Sequence, residues 1–256
     1  MNNLTKLPRR LVRKLISSLL ERLSTGQLHS LLTEVMTQRA RALEPADGLR
    51  FLFNLDAALY PIKGQLAIAY GEGVHTKHRH LRYHDFFVNR VYAGERVLDI
   101  GCGNGALAYD VAEKAGAQVV GIDFSASNID QARQRHAHPR IEYYIGDALK
   151  DLPQEEFNVV ILSNVLEHLP NRPDFLHKVQ FTMHPSRILI RVPLFERDWQ
   201  TPLKRELGVE WRLDVTHETE YTLESFAAEI AEAKLKIVHQ EVRWSEIWAE
   251  VICHSV

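Results

Sequence analysis

The chain has 256 residues, 45% hydrophobic and 25% charged, with 31 basic against 33 acidic side chains and two cysteines. That length exceeds the needs of one doubly wound core by several helices, and the even charge balance gives no bulk electrostatic case for nucleic acid. No run approaches the ~18 apolar residues of a membrane span, no secretory signal is visible, and two cysteines make no disulfide framework, so a cytoplasmic location is expected.

Residues 1–25 are locally basic, carrying Lys6, Arg9, Arg10, Arg13, Lys14 and Arg22 against Glu21 alone. Leu7, Leu11, Leu15, Leu19 and Leu23 recur every fourth residue beside Val12, Ile16 and Leu20, which predicts an amphipathic helix over 5–24. Its apolar face suits a peripheral contact with an anionic membrane or a partner, or packing on its own chain or across a dimer. Packing is the ordinary use of such a helix and is the expectation. Segments 27–43 and 47–60 read as further helices, parted by Glu44-Pro45-Ala46, and Pro61 and Gly64 break the pattern again. Residues 1–70 therefore read as an all-helical N-terminal extension, and 71–256 as the catalytic domain.

Residues 71–90 concentrate histidine, arginine and aromatic groups directly before the first predicted strand. His80 and His84 stand four apart and could share a helix face. No acidic ligand lies at a recognisable zinc spacing, so no metal is expected. Phe86 and Phe87 read as packing residues.

Residues 97–105, Val-Leu-Asp-Ile-Gly-Cys-Gly-Asn-Gly, place a buried strand directly before three glycines. Without a Cβ, Gly101, Gly103 and Gly105 let the backbone turn tightly and approach a ligand at the start of the next helix. Cys102 within that turn reads as a small buried residue. Gly101-x-Gly103-x-x-Ala106 also fits a dinucleotide fingerprint, so a nicotinamide dehydrogenase stands as a rival. Residues 118–122 read as a second strand ending in Asp123, an acid suited to two ribose hydroxyls. A third strand over 141–145 runs into Gly146-Asp147-Ala148, a carboxylate beside a small residue that suits an exocyclic adenine amine. The fourth, over 157–163, ends at Asn164 and is followed by Val165-Leu166-Glu167-His168.

With an acid, Asp99, two positions before the first glycine and polar groups at successive strand ends, residues 75–253 resemble the class I S-adenosylmethionine-dependent methyltransferases. The resemblance implies S-adenosyl-L-methionine as cofactor. Gly101 to Gly105, Cys102 included, would hold its methionine and ribose portion and Asp123 the ribose. Phe124 would cover one adenine face, Asp147 and Ala148 its edge, and Asn164 would meet the methionine end. Arg82 or His75 would pair with the cofactor carboxylate, and Tyr83 would cover the sulfonium. The Glu167-His168 pair is similar to that of small-molecule methyltransferases related to quinone-biosynthesis enzymes. One departure is Asn158, where the fourth strand usually begins with aspartate.

The fifth strand is predicted over 187–192, followed by a polar and aromatic insertion at about 193–216. Lying at the C-terminal edge of the sheet, it is expected to contact the acceptor, with Phe195, Trp199 and Trp211 available either for stacking on a sugar or ring or for its own small core. Thr222 caps a helix to 234, and β segments over 236–242 and 247–253 close the chain. This ending matches the fold the resemblance implies: α/β, a doubly wound seven-stranded sheet of order 3-2-1-4-5-7-6 with its last strand antiparallel. A nicotinamide-binding domain has a parallel sixth strand instead, so the tail argues against the dehydrogenase.

Methyl transfer is an in-line displacement that needs alignment of the acceptor and, for a hydroxyl, removal of a proton. His168 is the first candidate base and His217 the second. Glu167-His168 could alternatively help bind a divalent ion, although no full ligand set is visible. No Asn/Asp-Pro-Pro-aromatic stretch or Pro-Cys pair points to base methylation, so a small-molecule or glycan-like hydroxyl acceptor is expected. A protein or RNA methyltransferase, which would need a basic surface around its pocket, and a catalytically silent scaffold are the alternatives.

Overall fold

The computed structural model describes residues 9–72 and 75–253, with backbone only at 9, 11–13, 15 and 16. The chain divides into two compact units, Met1–Gly64 and Gln65–Val256. In the first, α1 (Arg9–Leu20) precedes α2 (Thr25–Arg41). Ser24 opens α2 with a reciprocal cap: its Oγ accepts from Gln27 N at 3.3 Å, and Gln27 Oε1 accepts from Ser24 N at 3.0 Å. Leu19 is 63% exposed, α2 buries none of its described residues, and Leu7 and the side chains of Leu11 and Leu15 lie outside the described residues.

The predicted break at Pro61 and Gly64 is corrected by the structure. Helix α3 runs unbroken from Pro45 to Tyr70 through both residues. Pro61 removes one intrahelical donor, but Ala57, Ala58 and Leu59 before it and Gln65 to Ala69 after it are good helix formers that carry the helix across. Among the described residues no helix is long and apolar enough to cross a membrane.

After α3 the second unit continues with two short helices, α4 (Lys77–Leu81) and α5 (Tyr83–Val88), separated by Arg82 at φ 47°. That left-handed residue overturns the shared face expected for His80 and His84, which fall on different helices. Among the described residues, seven strands then form one sheet of order β3-β2-β1-β4-β5-β7-β6. They are β1 (Arg96–Ile100), β2 (Gln118–Asp123), β3 (Ile141–Ile145), β4 (Val159–Ser163), β5 (Arg187–Pro193), β6 (Leu235–Arg243) and β7 (Glu246–Cys253). The first five are parallel neighbours, and β7 runs antiparallel to both β5 and β6. Trp244 and Ser245, at φ 53° and 65°, make the two-residue β6–β7 turn whose twist matches the flanking strands.

Central strands buried on both sides explain the near-continuous apolar runs. Leu98, Ile100, Val160, Leu162 and Ile190 point to one layer, with α8 (Arg172–Met183) and α10 (Leu223–Glu232). Val97, Val119, Val159, Ile161 and Leu189 point to the other, where Phe86, Phe87, Ile129 of α7 (Ala126–Arg135) and Trp248 complete the packing. Asn158, at the foot of β4, accepts from Arg96 N at 2.8 Å and joins the starts of β1 and β4, away from the strand ends that carry the polar residues.

Candidate active site

The glycine turn is tied to the end of β2: Gly101 N and Cys102 N both donate to Ile122 O, at 2.8 and 3.0 Å. Two of its glycines serve different needs. Gly105 (φ 80°) begins α6 (Ala106–Asp110), and a Cβ there would lie 2.5 Å from Tyr143 Oη and 2.9 Å from Ala132 Cβ. Gly103 (φ 55°) has nothing within 4 Å of a Cβ position, so its open side faces free space. Gly103 N also donates to Asp123 Oδ2 at 3.0 Å, while Asp123 Oδ1 accepts from Ser125 N at 2.9 Å and Asn128 Nδ2 at 3.1 Å. Asp123 is thereby fixed at the end of β2 with one Oδ2 lone pair to spare.

A cavity of about 440 Å³ opens along this edge, lined by Asp123, Phe124, Asp147, Ala148, Asn164 and His168 among others. A second, of about 170 Å³, lies around the glycine turn and is lined by Tyr83, Asp99, Cys102, Gly103 and Ser163, and Gly101 borders both. Asp99 is 1% exposed, and its Oδ2 has no hydrogen-bond partner. Burial, reinforced by the charge of Asp123, pushes its carboxyl up to about 8. Cys102 is buried, and burial likewise raises its thiol. Phe124 is 82% exposed, a bare ring at the rim. Asp147 accepts from Lys150 Nζ at 2.7 Å and Leu149 N at 2.9 Å, and the Lys150 contact leads the lowering of its carboxyl.

Arg82 and His75 line neither of these cavities. Arg82 pairs with Asp85 at 2.5 Å and borders a separate cavity with His78, His84, Asp110 and Lys114, while His75 Nδ1 accepts from Lys77 N at 3.1 Å. Tyr83 borders both that cavity and the glycine turn.

Beyond β4, Asn164 takes φ 57° and donates from Nδ2 to Glu167 Oε1 at 2.9 Å. Glu167 is fully buried, its Oε2 lacks a partner, and burial pushes its carboxyl up to about 7. Thr216 Oγ1 donates to Asp214 Oδ1 at 2.7 Å, since a carboxylate only accepts, and therefore receives its 3.0 Å bond from His168 Nδ1–H. That leaves His168 Nε2 with a free lone pair, and burial, then His217, lowers the pKa of the ring. His217 Nδ1 donates to Glu220 Oε1 at 3.0 Å, and the two imidazoles meet edge to face at 4.7 Å. Glu167, His168 and His217 each bring a ligand atom within 4.8 Å of the others, a possible cation set. Sequence spacing could not reveal it, because residue 217 reaches residue 168 only through the folded insertion.

The insertion is organised by ion pairs. Arg197 pairs with Glu220 and donates to Trp211 O, and Glu218 N donates to Glu167 O at 2.7 Å. Phe195 and Trp211, both half-buried, pack edge to face at 5.1 Å beside Arg205, whereas Trp199 is 69% exposed. Its helix α9 spans Gln200–Glu206.

Comparison with known proteins agrees with this geometry. Residues 92–241, more than half of the chain, match the family model described as a methyltransferase domain. The ubiquinone biosynthesis O-methyltransferase of Rhodopseudomonas palustris (strain BisB5) is 36% identical over 121 residues, 46% of this chain and 47% of that protein. Its counterpart in strain BisA53 is 31% identical over 156 residues, 58% of this chain and 61% of that protein. The chain thus spans about half the length of the curated relatives it matches. Among solved structures, the small RNA methyltransferase HEN1 superposes with TM-score 0.56 at 19% identity, covering 68% of this chain and 25% of that one. Magnesium protoporphyrin IX methyltransferase from Synechocystis PCC 6803, with bound S-adenosylhomocysteine, gives 0.55 at 17% identity, covering 68% and 83%. These two likenesses concern the fold. With the glycine turn, the strand order and the family match in agreement, the chain belongs to the class I S-adenosylmethionine-dependent methyltransferase family.

Proposed function

We propose that the protein methylates a hydroxyl oxygen of a small-molecule acceptor, with His168 as the base. The observation that carries this reading is the placement of His168 in the wall of the same cavity as Asp123, Phe124 and Asn164, its Nδ1 bonded to Thr216 Oγ1, which Asp214 holds in turn. The names of the relatives, O-methyltransferases of ubiquinone biosynthesis, support a hydroxyl acceptor.

The residues present fit the family's cofactor. Asp99 Oδ2 is buried without a partner beside the glycine turn, as a site awaiting a cationic or N–H donor would be, and the open side of Gly103 leaves room for ligand atoms. Asp99 and the glycine turn would hold the methionine portion, Asp123 the ribose hydroxyls, and Phe124 with Asp147 and Ala148 the adenine. Bound S-adenosylmethionine supplies an electrophilic methyl carbon on a sulfonium, with a neutral thioether as leaving group. His168 Nε2 accepts the acceptor's hydroxyl proton as oxygen attacks, and Asp214, through Thr216, keeps the proton of Nδ1 in place. His217, held by Glu220, stands edge-on to that imidazole as the second candidate. Among the described residues, no Lys or Arg lines the 440 Å³ cavity, which supports a small acceptor over an RNA or acidic protein segment. A sugar-bearing acceptor would have exposed Trp199 as a stacking surface.

A second reading rests on the cluster of Glu167, His168 and His217: together they would hold a divalent cation that acidifies the acceptor hydroxyl by coordination. Its support is the unpartnered buried Glu167 Oε2, together with the hydrogen bonds that hold the other nitrogen of each histidine.

Incubation with methyl-labelled S-adenosylmethionine and a panel of phenols, catechols, sugar-bearing alcohols, RNA and protein fractions, with and without chelator, tests both. Label on a small hydroxyl compound that persists in chelator and is lost in His168→Ala supports the base. Chelator-sensitive transfer restored by magnesium or manganese supports the cation, and label confined to RNA or protein overturns the small-molecule acceptor.

A further inference from the structure

The guanidinium of Arg191 lies directly behind the wall of the glycine-turn cavity. It is 6% exposed on β5, its Cζ sits 4.2 Å from the centre of the Tyr83 ring, and its Nη1 reaches toward Ser163 Oγ at 3.5 Å. Tyr83 and Ser163 both line that cavity. An arginine is charged at every accessible pH, so this position sets a permanent cation behind a ring whose other surroundings include the cavity. In a partly dry site such a charge acts over several ångströms with little screening.

Glu246 answers it. From β7, where it stands opposite Pro193, it accepts from Arg191 Nε and Nη2 at 2.7 Å each, a two-point ion pair, and receives a third bond from Trp248 Nε1 at 3.2 Å. The other charges near Tyr83 are paired or suppressed: Asp110 is held by Lys114 at 2.8 Å and His84 at 2.7 Å, Arg82 pairs with Asp85, burial lowers His78 to about 4 and also lowers His84, and Asp99 across the cavity is held up near 8.

We propose that Glu246 is a charge-compensating positioning residue, which neutralises Arg191 behind Tyr83 and so lets the glycine-turn cavity accept a cationic ligand group, the sulfonium of the cofactor. This rests on the cofactor reading above. Because the cofactor and its demethylated product differ by a methyl group and a positive charge at sulfur, the two ligands together read charge separately from fit. Glu246 thus favours the charged reactant over the neutral product, an asymmetry that also helps product to leave.

The test is calorimetric binding of S-adenosylmethionine and S-adenosylhomocysteine to the full chain and to Glu246→Gln, which keeps shape and one acceptor but removes the charge. Affinity for S-adenosylmethionine should fall at least about fivefold more than that for S-adenosylhomocysteine, as expected for one uncompensated charge near a partly buried site. Glu246→Asp should retain the wild-type ratio, and Arg191→Met combined with Glu246→Gln should restore it. If Glu246→Gln does not fold, Arg191→Met alone serves, because the acid left without its cation should shift the ratio the other way, toward S-adenosylmethionine. Equal losses for both ligands, or an unchanged ratio in Arg191→Met, would overturn the proposal and leave the pair a purely structural role. Failure of the wild-type chain to bind either ligand would overturn the cofactor reading, and this proposal with it.

Discussion

Replacing Gly105 and Gly103 singly by alanine separates the fold requirement of the glycine turn from its ligand requirement. Both residues have positive φ, 80° and 55°, so an L side chain costs roughly 1–2 kcal/mol at either. At Gly105 the new methyl would also lie 2.5 Å from Tyr143 Oη, 2.8 Å from its Cζ and 2.9 Å from Ala132 Cβ. The tyrosine must shift, losing its bonds to Gly105 O at 3.3 Å and His136 O at 3.1 Å, and overpacking of this kind costs about 1–3 kcal/mol more. Gly105→Ala should therefore lose roughly 2–5 kcal/mol of stability, and Gly103→Ala only the conformational part, about 1–2 kcal/mol. Urea unfolding at fixed pH measures the first quantity and titration calorimetry with S-adenosylmethionine the second. The expected pattern is the larger drop in midpoint, with an unchanged slope, for Gly105→Ala, and weakened binding with the smaller drop for Gly103→Ala. Equal stabilities for the two variants, or wild-type binding by Gly103→Ala, would refute the division of labour.

Asp123→Ala should weaken cofactor binding by about 1.5–3 kcal/mol, the loss of hydrogen bonds to a charged group, and unchanged calorimetric affinity in the folded variant would remove Asp123 from the site. Because the fold raises the carboxyl of Asp99 from 3.8 to about 8, its favourable share of stability is whole below the lower value and is lost as pH climbs through the upper one. Wild type should accordingly lose stability relative to Asp99→Asn at about 1.4 kcal/mol per pH unit in that window, read from denaturant unfolding at several pH values, and parallel curves would contradict the buried-acid account. His168→Ala should lower turnover while S-adenosylmethionine affinity stays near wild type, and full turnover would eliminate it both as base and as required ligand. Arg197→Met leaves the fully buried carboxylate of Glu220 without its cation and should destabilise by about 3–5 kcal/mol, visible as a lower melting temperature. A shift near zero would show that the insertion does not depend on that pair.

Much of the sheet could be read from local pattern. Strand β3 lies at 141–145 as expected, with Gly146 at its exit, and β2 and β5, buried along nearly their whole length and so readable as apolar runs, each continue one residue beyond their predicted ends. The order of the strands, with β7 antiparallel, matches the one the family resemblance implies, whereas local pattern by itself supplies only the β6–β7 turn at 243–246. Local pattern misled at Pro61, where neighbouring helix formers outweigh one missing hydrogen bond, and at 80–84, where Arg82 adopts a left-handed conformation that its residue type does not announce.

What the linear chain settles is whatever depends on neighbours within a few residues: the apolar runs that make the strands, the three glycines that make the turn, and the polar residues at or just after strand ends, Asp123, Asp147 and Asn164. Only the tertiary structure could bring His217 to His168 across 48 intervening residues, set Glu220 and Arg197 behind it, and lay Arg191 against Tyr83 with Glu246 as counter-ion. Those contacts join elements whose separation along the chain bears no relation to their distance in space. They arise because the sheet stacks β5 and β7 side by side and the insertion folds back over the strand ends, so their geometry and charge balance belong to the packed molecule rather than to any segment of it.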